Sequence, residues 1–138
     1  MTRILLVDDD SLQARAIELA LRKSGFGVDW AADGVEGMET YRQVMPDLVI
    51  TDIVMPRQDG IGLIAELRRI DPTTPIIALS GGSIFGRLQL LEHAARIGAN
   101  ATMSKPVALA DLLAAVRRCL PDTDGPEAAQ AGRVSAAG

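Results

Sequence analysis

The sequence predicts a doubly wound α/β domain, with five strands in one parallel sheet and five helices divided between its faces. Three observations predict it. Short, almost unbroken apolar runs recur along the chain, as strands covered on both faces require. Segments of helical period separate them, so neighbouring strands are joined by right-handed crossovers rather than by hairpins. At 138 residues, 48% hydrophobic and 23% charged, the chain also has the size and balance of a single globular domain with a real core.

The first strand is ILLV, Ile4 to Val7, followed by a helix over Ser11–Lys23 that stops at Gly25, a residue suited to the left-handed turn after a helix. VDWA, Val28 to Ala31, is more amphipathic and suits an edge strand. Asp33 is placed to cap the second helix, Gly34–Val44. DLVI, Asp47 to Ile50, forms the third strand and leads through Met55-Pro56 and Asp59-Gly60 to a helix over Ile61–Ile70. PIIAL, Pro75 to Leu79, is the fourth strand, followed by a helix over Gly86–Ile97 ended by Gly98. ATMS, Ala101 to Ser104, is short, and the alternation requires a fifth strand there. The last helix, Ala108–Leu120, meets Pro121, which cannot continue it. Residues 1–121 are therefore expected to fold. Residues 122–138, rich in Ala, Gly and Pro, lack the large apolar side chains needed to order a tail.

Composition excludes several functions. A net charge of −4 argues against direct nucleic-acid binding, which depends on Lys and Arg neutralising phosphates. No apolar run approaches the roughly 20 residues that span a bilayer, and the N-terminal run meets acids too soon for a secretory signal. One cysteine, Cys119, excludes an intrachain disulfide and a cysteine-rich zinc site, and the cytoplasm is the expected compartment.

Function in such a sheet sits beyond the carboxyl ends of the strands, where the winding direction reverses. The first strand ends in Asp8-Asp9-Asp10, the third leads to Asp52, the fourth to Ser80 and the fifth to Lys105-Pro106. Carboxylates, a hydroxyl and an ammonium thus gather on one edge. Crowded carboxylates repel, and a hard cation such as Mg²⁺, which takes oxygen ligands and keeps waters, resolves the conflict. A phosphoryl group could then be held by Mg²⁺, Ser80 and Lys105 while Asp52 attacks it as a nucleophile. Lys occurs only at Lys23 and Lys105 in a chain otherwise using Arg, which suits a compact point charge at the site. Read singly, the pieces are less specific: Asp8 to Asp10 could be a solvated turn, with Asp10 a helix cap, and Ser80 a strand-end hydroxyl bonded to backbone. Trp30, Tyr41 and Cys119 read as packing residues, Met55 as core filler, His93 as a solvent-facing residue, and Arg68-Arg69 as a solvated helix-end pair suited to the dipole.

LLVDDD, LVITDIVMPRQDG, PIIALSGG and SKP, in this order, resemble the receiver domain of bacterial two-component response regulators over about Arg3 to Leu120. The resemblance implies a flavodoxin-like sheet in order 2-1-3-4-5 and a stand-alone receiver, with Asp52 phosphorylated by a histidine kinase or histidine phosphotransfer protein. It assigns Mg²⁺ to Asp8, Asp9, Asp52 and the Val54 carbonyl, the switch hydroxyl to Ser80, and the phosphate-pairing lysine to Lys105, joined to Pro106 by a cis bond. The downstream partner would be a protein met through the fourth helix, fifth strand and fifth helix, a face that also allows a dimer.

Departures bear on mechanism. Thr102 stands at the second switch position, where many receivers carry an aromatic, and Val107 replaces the usual Phe. The stretch from Ser80 to Gly98 is longer than the common form, and GGSIFGRL is expected to be a mobile loop. Val54 and Gly82 offer neither acid nor amide to orient a hydrolytic water, which implies slow self-dephosphorylation. Two other readings compete. A receiver-like scaffold independent of phosphorylation fits Thr102 and the long loop. A small Mg²⁺-dependent phosphohydrolase of the haloacid-dehalogenase type would use the Asp8 to Leu12 stretch, but leaves Asp52 unexplained and has no room for a cap domain.

Overall fold

The computed structural model describes residues 1–55, 59–81 and 84–120, with backbone alone for 84–88. Five parallel strands run in the order β2-β1-β3-β4-β5. They are β1 (Arg3–Val7), β2 (Gly27–Ala31), β3 (Leu48–Asp52), β4 (Ile76–Ser80) and β5 (Ala101–Ser104). Between and after them lie α1 (Ser11–Lys23), α2 (Gly34–Val44), α3 (Gly60–Ile70), α4 (Ile84–Ile97) and α5 (Leu109–Cys119). The expected class, strand order and helix number all hold among the described residues. The winding direction reverses between β1 and β3, and that reversal opens a crevice at their carboxyl ends.

The two-residue period of β1 explains the two cores. Leu5 and Val7 face Met38 and Tyr41 of α2, Leu63, Ile64 and Leu67 of α3, and Leu91 and Ala94 of α4. Ile4 and Leu6 face Ala14, Ile17 and Leu21 of α1 and Leu112, Ala115 and Val116 of α5. Every residue of β3 and β4 is buried, which accounts for their unbroken apolar character. Met55 is buried as expected, and His93 is exposed.

Helix starts follow local signals. Asp10 accepts the backbone N–H groups of Leu12 and Gln13, Asp33 that of Glu36, and Asp59 that of Gly62. Gly25 and Gly98 have φ of +97° and +135°, the left-handed region expected where α1 and α4 end. Boundaries shift modestly. The third strand extends through Asp52 because Asp52 stays in register with Leu79 and the next amide, Ile53, still donates to the Leu79 carbonyl. α4 starts at Ile84, two residues before the expected Gly86. Gly82, Ser83, Pro56, Pro121 and the tail lie outside the described residues, and the expectation of a mobile loop over GGSIFGRL is corrected at its second half, since the backbone from Ile84 to Leu88 is already the first part of α4.

Two readings of single residues need correction. Trp30 is 45% exposed, because it faces outward from the edge strand β2, so it is not a buried packing residue. Arg68 is a strap rather than a solvated helix end. Its guanidinium donates to the Gly98 carbonyl at 3.0 Å, to the Asp71 carbonyl at 3.1 Å and to Asn100 Oδ1 at 2.8 Å. Asn100 Oδ1 also accepts the Ile76 N–H, so the strap ties the end of α3 to the starts of β4 and β5. Tyr41 does pack, and its hydroxyl also donates to Asp71 Oδ2 at 2.7 Å.

Gly60 sets how closely α3 approaches the end of β3. Its N–H donates to the Ile53 carbonyl at 2.7 Å. A Cβ there would stand 2.0 Å from the Asp52 carbonyl oxygen and 2.7 Å from Ile53 Cα, both backbone atoms that cannot swing aside. Gly60→Ala should therefore cost about 1–3 kcal/mol or more of folding free energy, read as a lowered urea midpoint. An unchanged midpoint would mean that α3 can withdraw freely.

Candidate functional site

β1 delivers Asp8 into the crevice one residue past its last paired residue, and β3 delivers Asp52 as its own last residue. Asp8 is fully buried and Asp52 is 2% exposed, while Asp9 is exposed to solvent. One carboxylate oxygen of each of the three can lie within 4.8 Å of the others. Asp10 faces away and caps α1, as its alternative reading proposed.

Lys105 reaches the same crevice from beyond β5. Its Nζ stands 2.7 Å from Asp52 Oδ2, with its side chain 23% exposed. The Lys105-Pro106 peptide is cis, and the Lys105 N–H donates to the Ser80 carbonyl at 2.8 Å. Gly81 leaves room for the lysine stem: a Cβ at Gly81 would meet Lys105 Cδ at 3.1 Å. Ser80 is buried at the end of β4, and its hydroxyl has a long contact of 3.5 Å to the Gly81 carbonyl. The Val54 side chain is 66% exposed at the rim. Thr102 is half-buried in β5 opposite Ala78, two strands away from Asp52. The fold thus unites Asp8, Asp9, Asp52 and Lys105, sets Ser80 against the lysine backbone, and keeps Thr102 apart from the acids.

Electrostatics suit the pocket to a cation. Asp8 Oδ1 accepts the Asp10 N–H at 2.9 Å, but Asp8 Oδ2 and Asp52 Oδ1 are buried with no hydrogen-bond partner among the described residues. Burial, and after it the Asp8 carboxyl group, raise the Asp52 carboxyl to about 8 against the opposing pull of Lys105. Two orphaned acceptor oxygens beside a third, exposed carboxylate form an all-oxygen donor set. That set fits a hard divalent cation and lacks the nitrogen or sulfur that a zinc site uses. Cys119 is a half-buried free thiol on the last residue of α5, far along the chain from these acids.

One contact at the site escaped sequence reading. The Trp30 indole Nε1–H donates to the Asp8 carbonyl at 2.8 Å. The available signal was indirect: an amphipathic edge strand, parallel to the strand that ends in acids, carries one large side chain with a single donor.

Comparison with known proteins agrees with this geometry. The response regulator receiver domain profile matches residues 4–117. Over 119 residues the chain is 39% identical to the transcriptional regulatory protein PrrA of Mycobacterium tuberculosis, covering 86% of this chain and 49% of PrrA. It is 34% identical over 134 residues to the DNA-binding dual master transcriptional regulator RpaA of Synechocystis, covering 94% of this chain and 54% of that protein. The chain spans about half the length of the curated relatives it matches. Among solved structures, a response regulator receiver domain protein from Clostridium thermocellum superposes with a TM-score of 0.80 at 30% identity, covering 86% of this chain and 94% of the other. The receiver domain of NtrX from Brucella abortus gives 0.79 at 28% identity, with 85% and 97% covered. No helix among the described residues is long and apolar enough to cross a membrane. With the profile spanning nearly the whole described fold and the strand order matching, the chain belongs to the response regulator receiver domain family of two-component signalling.

Proposed function

We propose that this receiver is a phosphorylation-controlled switch whose acceptor is Asp52. The observation that carries the reading is the pairing of the buried Asp52 with Lys105 at 2.7 Å, while Asp52 Oδ1 and Asp8 Oδ2 have no hydrogen-bond partner among the described residues. A receiver gives the buried Asp52, paired with Lys105 at the end of β3, a role as nucleophile, whereas the phosphohydrolase alternative leaves it without one.

The donor is a phosphohistidine on a histidine kinase or histidine phosphotransfer protein met in the cytoplasm. An Asp52 carboxylate oxygen forms a bond to phosphorus, the phosphorus–nitrogen bond breaks, and the electron pair leaves with the imidazole, which takes up a proton. Asp8, Asp9, Asp52 and the Val54 carbonyl would hold Mg²⁺. When bound, the ion offsets the charge of the acids and of the phosphoryl oxygens. Lys105 moves from pairing a carboxylate to pairing a phosphoryl oxygen, a charge-assisted contact it can make without leaving the crevice. Ser80 offers its hydroxyl, poorly engaged at 3.5 Å, to another phosphoryl oxygen.

Output follows as a population shift. The phosphoryl group stabilises whichever arrangement of the β4–α4 segment contacts it better, and a downstream protein reads the α4–β5–α5 face, through which the active form could also pair with a second copy. Thr102 occupies the second switch position on β5. A hydroxyl-bearing side chain there changes little in shape between rotamers, so Ser80 carries more of the coupling.

Incubation with acetyl phosphate and Mg²⁺, followed by intact mass measurement, should give one phosphoryl adduct that Asp52→Ala abolishes. An unmodified wild-type protein would favour a phosphorylation-independent scaffold, and free phosphate released without an adduct, in an Asp8-dependent manner, a phosphohydrolase.

Slow self-dephosphorylation is also expected, because the exposed Val54 presents neither acid nor amide to a water at the acyl phosphate. The adduct should last minutes or longer in gel-based decay, and a half-life of seconds would refute this.

The raised Asp52 carboxyl has a stability signature. Between about 4 and 8 the folded state keeps a proton that the unfolded chain releases, so metal-free stability falls as pH rises through that window. Asp52→Asn should lack this fall and exceed the wild type by roughly 1–3 kcal/mol at pH 8.5 in chelator. Urea unfolding at pH 4.5 and 8.5 measures it, and a wild-type curve that is flat or rising over that range would contradict it.

A further inference from the structure

We propose that Trp30 is a positioning residue for the acid pair, its indole N–H holding the peptide between Asp8 and Asp9 in the orientation that turns their carboxylates toward a divalent cation. The inference rests on the cation reading of the pocket given above. It concerns a residue on β2, outside the acids, the lysine and the switch hydroxyl.

Asp8 lies just beyond the last β1–β2 pair, Val7 with Ala31, where regular ladder support ends. Three contacts replace it. The Asp8 N–H donates to the Ala31 carbonyl at 3.0 Å, the Asp8 carbonyl accepts from Trp30 Nε1 at 2.8 Å, and Asp8 Oδ1 accepts the Asp10 N–H at 2.9 Å. The first two come from adjacent residues of β2, one through backbone and one through a side chain. Together they clamp both peptide planes flanking Asp8.

The second plane matters most. The Asp8 carbonyl belongs to the peptide that joins the buried acid to the exposed one, so its rotation sets Asp8 and Asp9 relative to each other. With Oδ1 engaged by Asp10, the clamp leaves Asp8 Oδ2 as the buried oxygen without a partner among the described residues. Mutual repulsion among the acids favours rotating this peptide away. The indole bond opposes that rotation from an edge-strand residue that is 45% exposed and so stands outside the core. Partners that orient ligands in this way commonly matter for affinity nearly as much as the ligands do.

The test is Mg²⁺ affinity by isothermal titration calorimetry on the full chain, with thermal melting in chelator alongside. Trp30→Phe keeps a ring and loses the donor, and it should weaken Mg²⁺ binding about three- to tenfold. Trp30→His can place Nε2 at the ring position of the indole nitrogen and should recover most of the loss at pH 8. A purely structural role would lower the chelator melting temperature in both variants and leave affinity unchanged, which would overturn the proposal. A wild type that binds Mg²⁺ with Trp30→Phe binding equally well sinks this inference alone, whereas a wild type that binds none sinks the cation reading with it. Should Trp30→Phe not fold, the wild type still decides: its one tryptophan gives one indole N–H resonance, which should shift on Mg²⁺ titration, and an unmoved resonance would refute the coupling.

Discussion

The burial of like charges at the mouth of the β1–β3 crevice is the constraint from which the rest of this structure follows. A fully buried Asp8 and a nearly buried Asp52 face one another with one oxygen of each unpartnered among the described residues. Unsatisfied buried carboxylate oxygens are destabilising unless something satisfies them, and their mutual repulsion raises the affinity of Asp52 for any positive species. A proton, a lysine and a divalent cation are alternative answers to the same electrostatic problem. Lys105 supplies part of the answer in the resting chain, which is why the remaining part is open to a ligand.

The scaffold around the acids is correspondingly rigid. β3 is buried on every residue, α3 is pressed against its end by a glycine that admits no side chain, and the far end of α3 is strapped by Arg68. Asp8 is held from β2 by backbone and side chain together. Repelling groups stay at short range only if the elements that carry them cannot relax apart.

What the sequence made legible were features whose cause is local or periodic. Asp10 and Asp33 each cap a helix that begins one residue later, and the apolar runs of β1, β3 and β4 declare their burial on both faces. The site acids were legible because topology alone sends strand ends to one edge. Arg68 and Trp30 were misread because their partners are remote in the chain: Gly98 lies 30 residues from Arg68, and Asp8 lies 22 from Trp30. Nothing within a helical turn or a strand neighbour distinguishes a strapping arginine from a solvated one. Only the assembled fold supplies the carbonyl. Asp52 at the end of the third strand was legible from the apolar run that leads to it, although an acid inside a strand contradicts local propensity and is kept there by the ladder with β4.

Two aspartates in the same fold show how environment divides structure from function. Asp71, at the end of α3, accepts from Thr74, Tyr41 and Thr73, and these hydrogen bonds hold its carboxyl well below the usual range. It is satisfied, ionised and fixed. Asp52 has the opposite surroundings: burial first, and after it a carboxyl neighbour in place of hydroxyls, move its carboxyl upward. Because α3 is anchored both at Gly60 and at the Asp71–Arg68 corner, a change of charge on Asp52 meets a stiff wall on that side. On the other side Asp52 is paired with Lys105, whose backbone N–H donates to the Ser80 carbonyl at the end of β4. The ion pair therefore ties Asp52 to the ends of β4 and β5, the side away from the anchored corner.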